Sequence, residues 1–178
     1  MGDYCIGKEQ SLEDILRSRE TRSIKQRQLL EAFGVPIVSF KLNIPGPIKS
    51  TPLYKDIFQE GLKEFDAIAS KKVVEILWNK CYYEEVGPLF LAAVNYDVYK
   101  LKNLTSSIEE KHPLGRLFDF DVWKDKDHQI SREELGLSKR RCLVCEEEAF
   151  ICGRSRKHSL QELLANIEGR AKNYFNET

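Results

Sequence analysis

Apolar positions along this chain follow two rhythms, the 3.6-residue period of a helix and the two-residue period of a strand. Behind Ser11, the residues Leu12, Ile15 and Leu16 and then Leu29, Leu30 and Phe33 recur at helix spacing, and Gly34 is a natural stop. The polar stretch between them, 17–28, carries Arg17, Arg19, Arg22 and Arg27. Ile37, Val38, Phe40 and Leu42 predict a strand over 36–43. Two prolines around a glycine, Pro45-Gly46-Pro47, then force a fixed loop ending at Lys49. Leu53, Ile57, Phe58, Leu62, Phe65 and Ile68 mark an amphipathic helix over about 51–70. Strand composition returns at 73–83 and 88–94, and Val98, Leu101, Thr105 and Ile108 fit another helix. After the turn His112-Pro113-Leu114-Gly115 comes a strand over 116–123, then a charged turn over 124–128. Ser159 caps a last helix with Leu160, Leu163, Leu164 and Ile167 on its inner face. These elements predict one α+β (or α/β) domain over 1–178, a mixed sheet flanked by helices. Within it, residues 1–10 are expected to be flexible, and 140–175 form a subregion of Cys/His loop and terminal helix.

Composition narrows the function. Hydrophobic residues are 42% of the 178, enough for a core, and charged residues 31%, so disorder is not expected. The 28 basic and 28 acidic residues cancel, which disfavours a protein that coats nucleic acid. A local basic cluster remains: Lys139, Arg140 and Arg141, then Arg154, Arg156 and Lys157. On a neutral chain it suits one polyanionic ligand. No apolar run reaches the roughly 20 residues that span a bilayer, and 1–10 lacks the apolar core of a signal peptide. The expected location is cytoplasmic, with no membrane partner. Five cysteines, three of them clustered, favour thiols or a metal site over a disulfide framework.

The most informative segment is Arg116-Leu117-Phe118-Asp119-Phe120-Asp121-Val122. On a strand, Phe118, Phe120 and Val122 face the core while Asp119 and Asp121 face the other way together, their Cα atoms roughly 6.5–7 Å apart. Such carboxylates can converge on Mg²⁺, which bridges phosphate oxygens in nucleotidyl-type transfer. The competing reading is an edge strand with a solvated polar face. Candidates for a triphosphate cradle are Arg19, Arg22, Lys49, Arg116, Arg140, Arg141, Arg154 and Arg156, with Gly46 allowing close backbone approach. Lys49 stands out because the rigid proline loop lowers the entropy cost of placing it. P-loop and dinucleotide-binding glycine patterns are absent.

Cys142, Cys145, Cys152 and His158 form a Cys₃His set with zinc-type spacing. The alternative is buried small hydrophobes beside a helix-flanking histidine. Cys5 and Cys81 look incidental. His112 reads either as a base near the strand or as a helix C-terminal residue, His128 as solvated, and Glu146, Glu147 and Glu148 as solvated surface.

Taken together, Pro45-Gly46-Pro47-Ile48-Lys49, the stretch His112-Pro113-Leu114-Gly115-Arg116 through Val122, Arg140-Arg141-Cys142-Leu143-Val144-Cys145, and Cys152 through Ser159 resemble the apo-citrate lyase phosphoribosyl-dephospho-CoA transferase family. Ser18-Arg19-Glu20-Thr21-Arg22 is similar to the family's opening segment, and the likeness runs in order from about Ser11 to Ile167. The resemblance implies an enzyme whose donor is 2′-(5″-triphosphoribosyl)-3′-dephospho-CoA. A serine of the apo acyl carrier protein subunit of citrate lyase attacks, and diphosphate leaves. A relative of the family acting in malonate decarboxylase maturation resembles nucleotidyltransferases and uses an Asp-x-Asp pair. The resemblance thus implies Asp119 and Asp121 as catalytic residues and a nucleotidyltransferase-like fold, although the glycine-serine motif that usually precedes such a pair is missing. Two other classes remain open from the residues alone. One is a non-catalytic module that binds the CoA-like group or the carrier with a structural zinc. The other is a nucleic-acid-binding zinc domain, which the charge balance opposes.

Overall fold

A computed structural model of the protein describes residues 7–176. Cys5, and the flexibility expected of the first six residues, lie outside that range. Helix α1 (Leu12–Phe33) opens with a capping box in which Ser11 and Asp14 satisfy each other's backbone N–H groups, and closes at Gly34 in the left-handed conformation. Strand β1 (Ile37–Leu42) follows, then α2 (Pro52–Lys71), the hairpin β2 (Glu75–Glu84) and β3 (Gly87–Asn95), α3 (Val98–Lys111) and β4 (Phe118–Trp123). Two short 3₁₀ turns, Gly115–Leu117 and Glu133–Leu135, a short α4 (Ala149–Ser155) and α5 (Leu160–Asn176) complete the described chain.

The four strands make one sheet in the order β2-β3-β1-β4. Every neighbouring pair is antiparallel, so the expected mixed sheet is corrected. The reason lies in the connections. Helices α2 and α3 return the chain so that β1 and β2 run the same way, and β3 and β4 likewise. Yet β3 inserts between the first two and β1 between the second two. This β-α-β-β-α-β order is the split arrangement of ferredoxin-like sheets.

Strand β1 is central, and Ile37, Val38, Ser39 and Phe40 are fully buried, so both sheet faces are covered there. Val38, Phe40, Phe118, Phe120 and Val122 belong to one core with Ile57, Phe58 and Phe65 of α2 and Leu101 and Ile108 of α3. Phe40 stacks on Phe120 at 4.0 Å and on Phe58 at 4.9 Å between ring centroids. Ile167 and Ala171 of α5 join this core. Leu160, expected on the inner face of that helix, is 42% exposed because it sits at the helix start, over Gly46. Helix α1 contacts β1 and β3, and its buried residue is a glutamine, Gln26. At the start of the described chain, Glu9 bridges Ile48 and the Gln10 N–H donates to Pro47 O at 3.1 Å.

Candidate active site

The site is built where β1 and β4 run side by side. Their register sets Lys41 opposite Asp119 and Ser39 opposite Asp121. Because strand side chains alternate, Ser39, Lys41, Asp119 and Asp121 share the face turned away from the phenylalanine core. The Lys41 ammonium donates to Asp119 Oδ2 and to Asp121 Oδ2, the latter at 3.3 Å. The outer carboxylate oxygens are held from the other side, Asp119 Oδ1 by Arg140 Nη1 at 2.6 Å and Asp121 Oδ1 by Gln129 Nε2 at 2.7 Å. Two carboxylates therefore converge on a single cation, each steered by a second donor.

Helix α1 lays Arg19 and Arg22 along this face. With Lys41, Lys49 and Asp119 they line a cleft of about 440 Å³ that also takes in Asn43, Ile44 and Gly87. Four cations face one lining carboxylate, a field that favours a polyanion. Burial lowers the pKa of Arg22, and the Asp121 charge opposes that shift. Burial likewise pulls Lys41 down, with Asp121 again opposing and Arg22 adding to the fall. Lys49 is lowered by burial and then by Arg19, while its ammonium donates to Ile44 O across the proline loop. Gly46 has φ +79°, a conformation that glycine adopts without strain.

Arg140 separates this cleft from a second one, about 380 Å³, lined by Arg116, Arg132, Lys139, Arg140, Arg141 and Glu109. Glu109 is buried on α3 and accepts from Arg140, from Arg132 at 2.8 Å and from the Phe120 N–H at 2.8 Å. Burial pushes its carboxyl up, and the arginines, Arg140 foremost, pull back. The β4 backbone carrying Asp119 and Asp121 is thereby tied to α3 on both sides of Phe120, since Lys102 Nζ donates to Phe120 O at 2.9 Å.

The remaining basic candidates sit elsewhere. Arg116 lies in the 3₁₀ turn before β4 rather than on the strand. Its guanidinium donates to Cys142 O at 2.9 Å and to Glu146 at 2.7 Å. Arg141 also reaches Glu146. Arg154 is exposed on α4, and Arg156 lines a third cleft of about 660 Å³ beside Gly46, Leu143, His158 and Leu160. The acidic run lies on the surface, as expected, and makes ion pairs there: Glu146 with these arginines, Glu147 with Lys157 at 2.8 Å, Glu148 with Lys139 at 3.4 Å. His112 caps α3, its Nδ1 accepting from the Leu114 N–H at 3.1 Å and its ring set against Phe118 and Tyr174. Burial lowers its pKa, and the residue stands on the core side of the sheet as a structural group. His128 pairs with Glu134 at 2.8 Å. Lys41, Glu109 and Arg132 were not legible as site residues, although Lys41 shares the polar rhythm of Ser39 along β1.

The metal-capable cluster is Cys142, Cys145, Cys152 and His158, whose ligand atoms all lie within 4.8 Å of one another. Cys145 Sγ is 3.5 Å from Cys152 Sγ and 3.3 Å from His158 Nε2. A tetrahedral zinc with Zn–S near 2.3 Å requires ligand separations of about 3.5–3.8 Å. Burial pushes the Cys142 thiol up, but the N–H groups of Cys145 and Val144 donate to its sulfur and bring it below the ordinary value. Two thiols and an imidazole gathered around a sulfur held in this way make a soft donor set that could hold a metal ion.

Among the described residues no helix is long and apolar enough to cross a membrane. Residues 10–174 match the family model for apo-citrate lyase phosphoribosyl-dephospho-CoA transferase. A protein of Vibrio cholerae serotype O1 (strain M66-2) named probable apo-citrate lyase phosphoribosyl-dephospho-CoA transferase is 36% identical over 165 residues, 92% of this chain and 93% of its own length. One from Escherichia coli O1:K1 / APEC, with the same name lacking "probable", is 35% identical over 158 residues, 89% of this chain and 86% of its own. With residues 10–174 matched, this chain belongs to the apo-citrate lyase phosphoribosyl-dephospho-CoA transferase family.

Proposed function

We propose that this protein transfers the phosphoribosyl-dephospho-CoA group from 2′-(5″-triphosphoribosyl)-3′-dephospho-CoA to a serine of the acyl carrier protein subunit of citrate lyase, in the cytoplasm. The observation that carries the mechanism is the cleft lined by Arg19, Arg22, Lys41, Lys49 and Asp119, with Asp121 joined to it through the shared Lys41 ammonium. The donor's triphosphate matches that field in sign. Arg19, Arg22 and Lys49 clamp its outer phosphates, and Gly46 lets the backbone approach the ligand. Lys41 neutralises charge on the oxygens of the attacked phosphorus. The serine Oγ forms the new P–O bond, the bond to diphosphate breaks, and Asp119 or Asp121 accepts the serine proton. Positioning and fixed charge supply most of the rate.

The two aspartates fit Mg²⁺, since both already direct one oxygen at a shared cation, and hard oxygen donors are what that ion takes. Asp119 and Asp121 would hold the ion, which would supply charge neutralisation for the leaving diphosphate. We infer nucleotidyltransferase-type chemistry from this carboxylate pair and not from the split sheet, because function resides in the site. Arg116, Arg141, Arg154 and Arg156 stand outside the cleft: Arg116 and Arg141 hold the cysteine loop through Glu146, Arg156 lines the third cleft, and Arg154 is exposed on α4. In the same reading the Cys/His cluster holds zinc.

Asp119→Asn and Asp121→Asn test the assignment. Each is expected to cut transfer to the apo carrier by about 100-fold or more while the fold is retained. Near-normal rates in both variants would reject the pair as the catalytic centre.

A further inference from the structure

We infer that the zinc held by Cys142, Cys145, Cys152 and His158 is a positioning device that fixes Arg140 on Asp119. This rests on the transferase reading above for its catalytic consequence, though not for the metal itself. The stretch from Lys124 to Glu148 contains no helix longer than the three-residue 3₁₀ turn Glu133–Leu135, and its backbone hydrogen bonds are mostly short-range, such as Lys124 N to His128 O and Leu137 N to Arg132 O. Within it, residues 140–149 double back on themselves. Cys142 N donates to Glu147 O and Ala149 N to Arg140 O, each at 2.8 Å, and Arg141 bridges Glu148. Cys142 and Cys145 sit on this small loop, Cys152 on α4, and His158 just before α5. One ion sharing all four ligands cross-links the loop, α4 and the segment before α5, adding to short-range backbone hydrogen bonds such as Cys152 N to Glu148 O and Lys157 N to Cys152 O.

Arg140 is two residues from the first ligand. Its guanidinium spans Asp119, at 2.6 Å, and the buried Glu109. Arg116 clasps the same loop from below, through Cys142 O and more weakly through Cys145 O at 3.4 Å. Leu143 is buried between the ligands, and Arg170 of α5 donates to Leu143 O at 3.2 Å. The metal loop is therefore locked to the core at its base, and the residue leaving that base toward the carboxylates is Arg140. Among the described residues no cysteine lines the anion cleft: Cys142 and Cys152 line the third cleft instead. The geometry gives the sulfurs a ligating task and leaves the phosphoryl chemistry to the aspartates.

The test uses the full chain and reads metal content and transfer separately. Purified protein is expected to carry one zinc per chain by elemental analysis. His158→Ala loses it, and His158→Cys, which restores a four-ligand site, keeps it. Loss of the metal is expected to lower kcat by on the order of 10- to 100-fold with a much smaller change in donor KM, because Asp119 is misplaced and the α1 cations are untouched. Arg140→Ala is expected to do the same, and the double variant no more than either alone. Rescue of kcat by His158→Cys marks a metal effect. If His158→Ala does not fold, wild-type protein stripped by chelator under reductant carries the test, with kcat expected to fall and to return when zinc is restored. A chain without zinc overturns the proposal. So does a zinc-free chain with full kcat, or losses that simply multiply in the double variant. A chain that holds zinc but transfers nothing contradicts the transferase reading. The unfolding midpoints of the same variants then still report whether zinc and Arg140 are coupled.

Discussion

Asp119 never stands alone: Lys41 takes one of its oxygens and Arg140 the other, while Asp121 divides its own between Lys41 and Gln129. The carboxylate pair was legible because a two-residue alternation of phenylalanine and aspartate fixes a common side. Its partners were not, since Lys41 meets Asp119 through cross-strand register, which a single strand does not specify. The alternation of Ser39 and Lys41 with Val38 and Phe40 was the available signal. Lys49 yields a prediction at this scale. Burial, and then Arg19, lower its pKa, so its cation is lost at a lower pH than that of an ordinary lysine, near 10.4. Donor KM is expected to rise on the alkaline side, starting below that value, and Lys49→Arg is expected to move the limb upward in a pH profile of KM. The sign for stability is opposite. The folded state binds fewer protons than the unfolded chain between the two pKa values, so raising pH through that window stabilises the fold while it weakens donor binding.

At the level of elements, the helices and strands were readable because long periodic runs carry their own signal, whereas their pairing was not. The hairpin partner β3 inserts beside β1, and this turned an expected mixed sheet into an antiparallel one. Arg116 was assigned to the strand, but the carbonyl of Leu114 accepts from Leu117 N and winds that segment into a turn. A consequence is that the arginine serves the cysteine loop. Packing between α2 and the sheet gives a second prediction. A Cβ on Gly61 would lie 2.3 Å from Phe40 Cζ and 3.2 Å from Phe118 Cε1. Both rings are fully buried in the stack beneath the site and have little room to turn. Gly61→Ala is expected to destabilise the protein by about 1–3 kcal/mol, measured by denaturant unfolding. Because the stack seats β4, a loss of transfer at temperatures below the unfolding transition is expected as well.

Across the whole molecule, Glu109 is the joint. It links α3 to the β4 backbone at Phe120 and to both Arg132 and Arg140 of the irregular segment. Its side chain is only 5% exposed, so removing it leaves the Phe120 N–H without its side-chain acceptor and takes one carboxylate partner from Arg132 and from Arg140, which keep Glu110 and Asp119. Glu109→Ala is expected to cost about 3–5 kcal/mol in chemical denaturation, far more than the loss of an exposed pair such as Arg17–Glu13. Sequence reading missed this residue because a glutamate on a helix is ordinarily solvated. Its place four positions after Thr105, on the stripe shared with Leu101, was the clue. The joint also explains how the family's distant motifs act together: the carboxylate strand, the basic loop and the cysteine cluster meet through Arg140 and Arg116. Transfer to a carrier protein is the activity proposed for this assembly. Incubating the purified chain with triphosphoribosyl-dephospho-CoA and the apo acyl carrier subunit of citrate lyase, and weighing the intact carrier, tests it most directly. The account predicts a carrier heavier by one phosphoribosyl-dephospho-CoA group, attached at a serine, with one diphosphate released per transfer. An unmodified carrier in the presence of folded protein and bound donor would contradict it.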